Sequence, residues 1–476
     1  MPQALKMSVK KLANIKLNTT IILLTIIALT AIATWIIPAG KFETVTREDG
    51  RNVLVEGSFH YVENTPQDLF AVLKAPMQAF LRSQTAEIMA FLLIIGGAFM
   101  IVEKTGAITA FIKRLSHMFL KHPELKNLYI PVSMTLFSIG GATFGMSEEV
   151  LIFIPIFIPL SLSLGYDSMV GVTVPFIGAA AGFASAFMNP FTLGIAQGIA
   201  QLQPYSGYEF RLVIWVICTA AAIAFIMNYA RKVEKDPKAS LTYEFDQEKK
   251  KELSTNESEN VVFSTSHIFV LLAFAATMVL LVFGVSKYGW YITEIGALFF
   301  GLGLVAAILG RLKVTDACTA FYDGVRGMAE IVFLLALATS IIIIAENGNI
   351  LDTTLNYMAG IISKLNSVLA SWAAFIMQAI INFFIPSGSS KAVLTMPILA
   401  PLSDLIGISR QTMVLAYQFG DGWTNVCIPT SPVVIAVIGM AKIPFQKWFK
   451  FILPLVTIWF LLSFGFLAIA NYINWQ

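Results

Sequence analysis

Two distant stretches of the chain spell the same pattern. Pro155-Ile-Phe-Ile-Pro-Leu-Ser-Leu-Ser-Leu-Gly165 and Pro397-Ile-Leu-Ala-Pro-Leu-Ser-Asp-Leu-Ile-Gly407 both read P-I-x-x-P-L-S-x-x-x-G, at an offset of 397 − 155 = 242. The register extends beyond the motif. Ala86-Glu87-Ile88 matches Ala329-Glu330-Ile331 at 243, and Asn189-Pro190 falls opposite Ser431-Pro432 at 242. An apolar chain that repeats itself reads as two copies of one membrane unit, and such pairs hold solutes at their interface.

Composition supports the membrane reading. Of 476 residues, 57% are hydrophobic and only 13% charged, against about 25% charged in soluble domains. Mean hydropathy is +0.75. The charges fall between apolar blocks of about the ~20 residues that cross a bilayer as a helix. Cys218, Cys318 and Cys427 are far apart and offer neither a disulfide framework nor metal-ligand spacing. The four histidines, His60, His117, His122 and His267, form no ligand pattern, and no P-loop, nucleophile elbow or H-E-x-x-H occurs.

The basic residues give a topology. Lys6, Lys10, Lys11 and Lys16 place the N-terminus in the cytoplasm, and Thr20 to Pro38 reads as a retained first span. An external β-hairpin is expected over 42–61, turning at Asp49-Gly50, followed by an interfacial helix from Thr65 to Gln84. Ala86 to Glu103 returns inward. Leu128–Gly140 and Val150–Leu164 read as a re-entrant hairpin, and Ser168–Gln203 as a broken helix. Glu209–Tyr229 completes the first repeat, 1–230. A cytoplasmic linker, 231–266, carries seven Lys/Arg and eight Asp/Glu and is expected to be mobile. The second repeat, 267–476, opens with one extra helix, Ile268–Val285. Ile292–Leu309, an interfacial segment Val314–Met328, Glu330–Glu346, a second hairpin (Ala370–Pro386 with Ala392–Ile406), a second broken helix Gln411–Met440 and Phe451–Ile473 follow. The expectation is an all-α polytopic membrane protein of two inverted-topology repeats, with about nine transmembrane helices plus two re-entrant hairpins. Its C-terminus is external, and its halves superpose with Pro155 over Pro397 and Asn189 over Ser431.

The candidate site consists of the hairpin tips and helix breaks. Tip one is Gly145-Met-Ser-Glu-Glu149, offering Gly145, Ser147, Glu148 and Glu149. Tip two is Pro386-Ser-Gly-Ser-Ser-Lys391, offering Ser387, Gly388, Ser389, Ser390 and Lys391. Ser185 and Asn189 are the polar residues of the first break. The second break, Gly420 to Pro432, supplies Asp421, Thr424, Asn425, Thr430 and Ser431. Half-helix N-termini present N–H groups to anions and C-termini present carbonyls to cations. Each charge near a bilayer centre costs ~2.5–3.5 kcal/mol on the lenient scale, so Glu148, Glu149, Lys391 and Asp421 need partners or water. The bland alternative is that they only pair with one another. Glu87, Glu330, Glu103 and Glu346 read as interfacial, and Trp35, Trp290, Trp448 and Trp475 as interface anchors.

On Ile385-Pro-Ser-Gly-Ser-Ser, on Gln418-Phe-Gly-Asp-Gly with Ile428-Pro-Thr-Ser, and on Gly145-Met-Ser-Glu-Glu, the chain resembles the YfcC-like branch of the C4-dicarboxylate carrier and arginine–ornithine antiporter family. The resemblance covers nearly the whole chain. It implies an elevator-type homodimer in a bacterial inner membrane, with a transport domain of two hairpins and two broken helices. It maps tip serines onto Ser147, Ser387, Ser389 and Ser390, and unwound-loop residues onto Asn189, Asp421, Asn425, Thr430 and Ser431. Lys391 departs from the pattern: a fixed ammonium stands where relatives hold sodium, which predicts exchange with little sodium dependence. No cofactor is expected beyond coupling to sodium or protons, and the partners are a small-molecule substrate and lipid, not nucleic acid.

Three acids against one base at the tips favour a cationic substrate such as arginine or ornithine, carried by antiport or ion-coupled uptake. The alternative is a dicarboxylate or other carboxylate, held by Lys391 and helix N-termini. A channel needs a continuous polar face, whereas the polar residues cluster. An enzyme needs a nucleophile–base set, which the apolar core lacks.

Overall fold

The computed structural model describes residues 19–46, 52–55, 57–111, 114, 123–247, 249 and 264–476. The N-terminal lysines, the hairpin turn at Glu48–Arg51, Lys113, Lys121 and residues 250–263 of the linker lie outside them. The first helix is α1 (Thr19–Ile36). Two short antiparallel ladders follow: β1 (Gly40–Lys41) with β4 (His60–Tyr61), and β2 (Thr44–Thr46) with β3 (Asn52–Leu54), in the register Thr44↔Leu54.

Thereafter the chain is helical: α2 (Leu69–Leu81), α3 (Ser83–Lys104), α4 (Pro123–Phe144), a 3-10 turn Glu148–Ile152, α5 (Ile154–Ser163) and α6 (Ser168–Ala184). A π turn, Pro190–Gly194, leads into α7 (Ile195–Ile199) and α8 (Tyr208–Lys235). α9 (Thr265–Tyr288) and α10 (Ile292–Leu309) are followed by a second succession of the same kind. It comprises α11 (Val314–Asn347), α12 (Ile350–Ile362), α13 (Ser367–Phe384), α14 (Gly388–Leu405), α15 (Arg410–Thr424), α16 (Pro432–Met440) and α17 (Phe445–Tyr472). Eight helices of the described residues are long and apolar enough to cross a membrane. Neither broken helix is among them, because each is interrupted: α6 stops at Ser185, and α15 stops at Asn425.

Several elements depart from expectation. The interfacial segment and the span that follows it in the second copy form one continuous helix, α11, of 34 residues. In the first copy Arg82 adopts an extended conformation (φ −76°, ψ 116°) and separates α2 from α3. No residue between Val314 and Asn347 is a proline, and the ladder runs on. Helix α12 fills a stretch expected to be loop. The arms α4 and α13, of 22 and 18 residues, are longer than half-bilayer arms, since 1.5 Å per residue takes about 10 residues to the bilayer middle.

The helices pack as two groups. In one, α11 lies against α1, α2 and α3, with α10 on α3 and α9 on α10. In the other, α4 and α5 pack on α6, α13 and α14 on α15, and α8 and α17 close the group; α16 touches α11 between them. Small residues set the closest approaches, as they do where helices meet without a hydrophobic driving force. A Cβ on Gly324 of α11 would stand 2.1 Å from the Gly96 carbonyl of α3, and one on Gly182 of α6 1.8 Å from the Ser138 carbonyl of α4. Trp423 stacks on Trp459 with centroids 4.4 Å apart, and their indole N–H groups donate to Ser463 Oγ (2.8 Å) and the Cys218 carbonyl (3.1 Å).

The linker's first part is held in place. Asp167 caps α6, accepting from Val170 N at 2.9 Å, and also accepts from Tyr229 Oη and Ser240 Oγ. Asp246, 1% exposed, accepts from Ser168 N (2.8 Å), Ser168 Oγ and Thr242 Oγ1 (2.7 Å). Lys249 donates to the Ala441 carbonyl at the end of α16 (2.8 Å). An acid thus sits on a helix N-terminus and a base on a helix C-terminus, matching both dipoles. The linker was expected to be mobile on its charge content; these buried acceptors hold residues 236–247 and 249 instead. Asp246→Ala is expected to cost about 1–3 kcal/mol, the range for stranding buried donors, read as a lowered unfolding midpoint in detergent. An unchanged midpoint would show that the strap adds nothing.

Candidate functional site

The two tips and two breaks meet around one cavity of about 750 Å³, within the ~300–1,000 Å³ of small-molecule sites. Tip one contributes Gly145, Ser147, Glu148 and Glu149; tip two contributes Ser387, Gly388, Ser389 and Ser390; the second break contributes Asn425 and Ser431. The first break reaches it through Phe191 and Thr192, and α6 through Phe176 and Phe183. The other helix group closes the cavity with Arg82, Thr85, Tyr291 and Thr339.

The remaining candidates stand behind this wall. Ser185 Oγ donates to the Ala181 carbonyl at 2.5 Å. Asn189, fully buried, accepts on Oδ1 from Phe191 N (2.8 Å) and Thr192 N (3.3 Å), so it caps the second half of the first broken helix. It also fixes the tip: Gly145 has φ +76°, and a Cβ there would stand 2.7 Å from Asn189 Oδ1. Thr430 is 1% exposed, and its hydroxyl has no hydrogen-bond partner among the described residues.

Lys391, Asp421 and Thr424 form a buried network. Lys391 Nζ lies 2.8 Å from Asp421 Oδ1, with the two side chains 0% and 1% exposed. Nζ also donates to Asn382 Oδ1 at 2.8 Å. Asn382 Nδ2 in turn faces the Asp421 carbonyl (3.1 Å), Thr424 Oγ1 (2.7 Å) and Asn425 Oδ1 (2.8 Å). One amide therefore ties the base of α14 to the C-terminal end of α15. Tyr417 secures tip two by donating to the Gly388 carbonyl at 2.6 Å. Asp421 Oδ2 accepts no hydrogen bond; it points at Gly388, where a Cβ would stand 2.9 Å away. Lys391 neither reaches water nor contacts Glu148 or Glu149.

Among the described residues no base lies in ion-pair contact with Glu148 or Glu149, and Glu149 Oε2 accepts from Ser147 N at 2.9 Å. Arg82, at the cavity edge, is held bidentately by Glu346 at 2.9 and 3.0 Å. Two of the tryptophans expected at the interface serve the interior. Trp448 is 0% exposed and donates to the Val426 carbonyl of the second break at 2.7 Å, while Trp475 covers Arg211, whose guanidinium lies 5.1 Å from its ring. For Trp448 the large aromatic surface is taken into the packing because a carbonyl lies within reach of the indole N–H. Sequence reasoning missed Asn382, Tyr417 and Tyr291. Asn382 carried a signal, since a lone amide in Ile-Ile-Asn-Phe-Phe is costly in an apolar helix unless it is used.

Eight helices able to cross a membrane, with two interrupted helices and two hairpin tips meeting at one cavity, mark a multi-pass membrane protein. The chain belongs to the DcuC family, C4-dicarboxylate anaerobic carriers, whose model matches residues 17–472. It is 36% identical over 483 aligned residues, 94% of each chain, to YfcC of Escherichia coli K12, for which basic amino acid antiport is itself only a proposed activity. A Haemophilus influenzae protein without an assigned activity is 28% identical, covering 85% of this chain and 79% of its own. Among solved structures, the YdaH transporter of Alcanivorax borkumensis aligns at 15% identity and TM-score 0.41, covering 96% of this chain and 99% of its own. MtrF of Neisseria gonorrhoeae aligns at 18% and 0.42, covering 95% and 94%.

Breaking a buried pair by removing one partner costs about 3–5 kcal/mol, whereas replacing both is often near neutral. Lys391→Met is therefore expected to destabilise the protein by that amount, and Lys391→Met with Asp421→Leu by much less, in unfolding measurements in detergent. Additive losses would mean that the two side chains are not paired.

Proposed function

We propose that the chain exchanges small basic amino acids, such as arginine and ornithine, across a bacterial inner membrane. The observation that carries this reading is the distribution of charge around the cavity. Two carboxylates of tip one line it without a base in contact, and the one base of tip two is turned away and matched to Asp421. A dicarboxylate would need Lys391 or Arg82, and both are engaged by acids.

The cavity is also polarised. At the far tip, α14 begins with N–H groups that suit a carboxylate. Asn425 Oδ1 accepts from Asn382 Nδ2, leaving Asn425 Nδ2 for the cavity. An α-carboxylate at α14 and a side-chain cation at Glu148 and Glu149 would satisfy both ends. Phe191 and Tyr291, with ring centroids 6.0 Å apart, add aromatic surface that favours a cation. The family's description favours the second reading, a C4-dicarboxylate, which would leave the two glutamates facing an anion.

In this reading the repeats are inverted, the N-terminus is cytoplasmic and the C-terminus external. The group containing both tips and both breaks moves as an elevator against α3, α10 and α11, and the other group forms a homodimer interface.

The test is uptake by purified protein in liposomes, with arginine, ornithine, fumarate and succinate as competing substrates. Saturable exchange of the basic amino acids is expected, and exchange of the dicarboxylates alone would sink the reading. A charge-assisted hydrogen bond contributes ~1.5–3 kcal/mol. Glu148→Gln and Glu149→Gln should each therefore weaken arginine binding by roughly 10–100-fold, measured by titration calorimetry.

A further inference from the structure

Arg211 of α8 is 1% exposed and contacts no carboxylate among the described residues. Its Nη1 donates to Gln418 Oε1 at 2.5 Å and its Nη2 to Gln411 Oε1 at 3.4 Å. Gln418 Nε2 passes this polarisation on, donating to the Ala186 carbonyl (3.0 Å) and the Phe183 carbonyl (3.5 Å) at the C-terminal end of α6. Lys391 stands in the same relation to the C-terminal end of α15, through Asp421 and Asn382. These two ends meet: a Cβ on Gly422 would stand 2.2 Å from Ala184 Cβ. Half-helix C-termini are where carriers take inorganic cations. Here each is served by a base of the chain itself.

The charges of the moving group that line the cavity or lie buried behind it can then be counted as ionised. Arg211 and Lys391 are positive; Asp421, Glu148 and Glu149 are negative. Asp167, Asp246 and Lys249 lie apart, at the capped ends of α6 and α16. Two bases against three acids leave a deficit of one positive charge.

We propose that this deficit makes exchange obligatory. With the cavity empty, the moving group carries one unmatched negative charge and does not cross. One substrate of single positive charge completes it, and the loaded group crosses without an inorganic cation. The proposal rests on the reading of the chain as a carrier of basic amino acids. The size of the effect is the cost of one unmatched charge at a bilayer centre, on the order of 100-fold in crossing rate.

The experiment uses the full chain in liposomes with labelled arginine, at concentrations saturating each variant. Wild type should take up arginine on the order of 100-fold faster into vesicles preloaded with arginine than into empty ones, and replacing sodium by choline should change neither rate. Glu149→Gln removes the deficit, so the loaded-to-empty ratio should fall toward one. Arg211→Gln deepens the deficit and should slow exchange itself. Glu149→Gln with Arg211→Gln restores a deficit of one and should recover the wild-type ratio, which a purely structural role for Arg211 would not do. Arginine-induced thermal stabilisation identifies variants that have kept their fold; Arg211→Met replaces Arg211→Gln where the glutamine variant has not, and Arg211→Lys, which keeps the charge, should keep the wild-type ratio. A wild-type ratio near one, a dependence on sodium, or a double variant no better than its parents would overturn the proposal while leaving basic amino acid transport intact. If wild type neither takes up nor is stabilised by arginine, the underlying reading falls and the proposal falls with it.

Discussion

The cavity depends on an ion pair that lies buried behind its wall. Lys391 and Asp421 are both buried, and each would be prohibitive alone in apolar surroundings. Paired, they fasten the second hairpin to the end of the second broken helix, and Asn382 extends the tie to Thr424 and Asn425. The tip serines are displayed from α14, the helix that the pair anchors. The geometry of the cavity wall is thus set from behind by charges that the cavity does not contain.

The glutamates of tip one differ in kind. Glu148 and Glu149 sit in the first copy where Ser390 and Lys391 sit in the second, at an offset of 391 − 149 = 242. The matched sequence positions differ in charge and use: Glu148 and Glu149 line the cavity, whereas Lys391 is buried against Asp421. Under the proposed exchange of basic amino acids, such a pair of tips suits a ligand cationic at one end and anionic at the other.

Much of this plan was legible in the sequence, because membrane folding leaves few options. Backbone polar groups must be satisfied internally, so Gly-Met-Ser-Glu-Glu or Pro-Ser-Gly-Ser-Ser inside an apolar run announces a sheltered irregularity, and the tip residues from Gly145 to Glu149 and from Ser387 to Ser390 do line one cavity. What was not legible was the facing of individual side chains. Lys391 follows Ser390 directly, yet one lines the cavity and the other is sealed beneath it, because successive residues of a helix start point in different directions. Arg211 stands near the start of its helix, where an arginine ordinarily reaches the headgroups; the glutamines of α15, 200 and 207 positions away, and the ring of Trp475 keep it inside. Trp448 was misread for the same reason. Its partner, Val426, is a backbone carbonyl that no residue type advertises.

The strap at the ends of α6 and α16 has a consequence for how the molecule is made. Asp246 can cap α6 as soon as both have left the ribosome, since Ser168 lies 246 − 168 = 78 residues earlier. Lys249 must wait for Ala441, which is synthesised 441 − 249 = 192 residues later. The first half can therefore finish one end on its own, with Lys249 already donating to Ser168 Oγ (2.9 Å) and paired with Asp246 (3.4 Å). When the second half arrives, the tail of α16 meets a docking point already built, so the order of translation becomes the order of assembly.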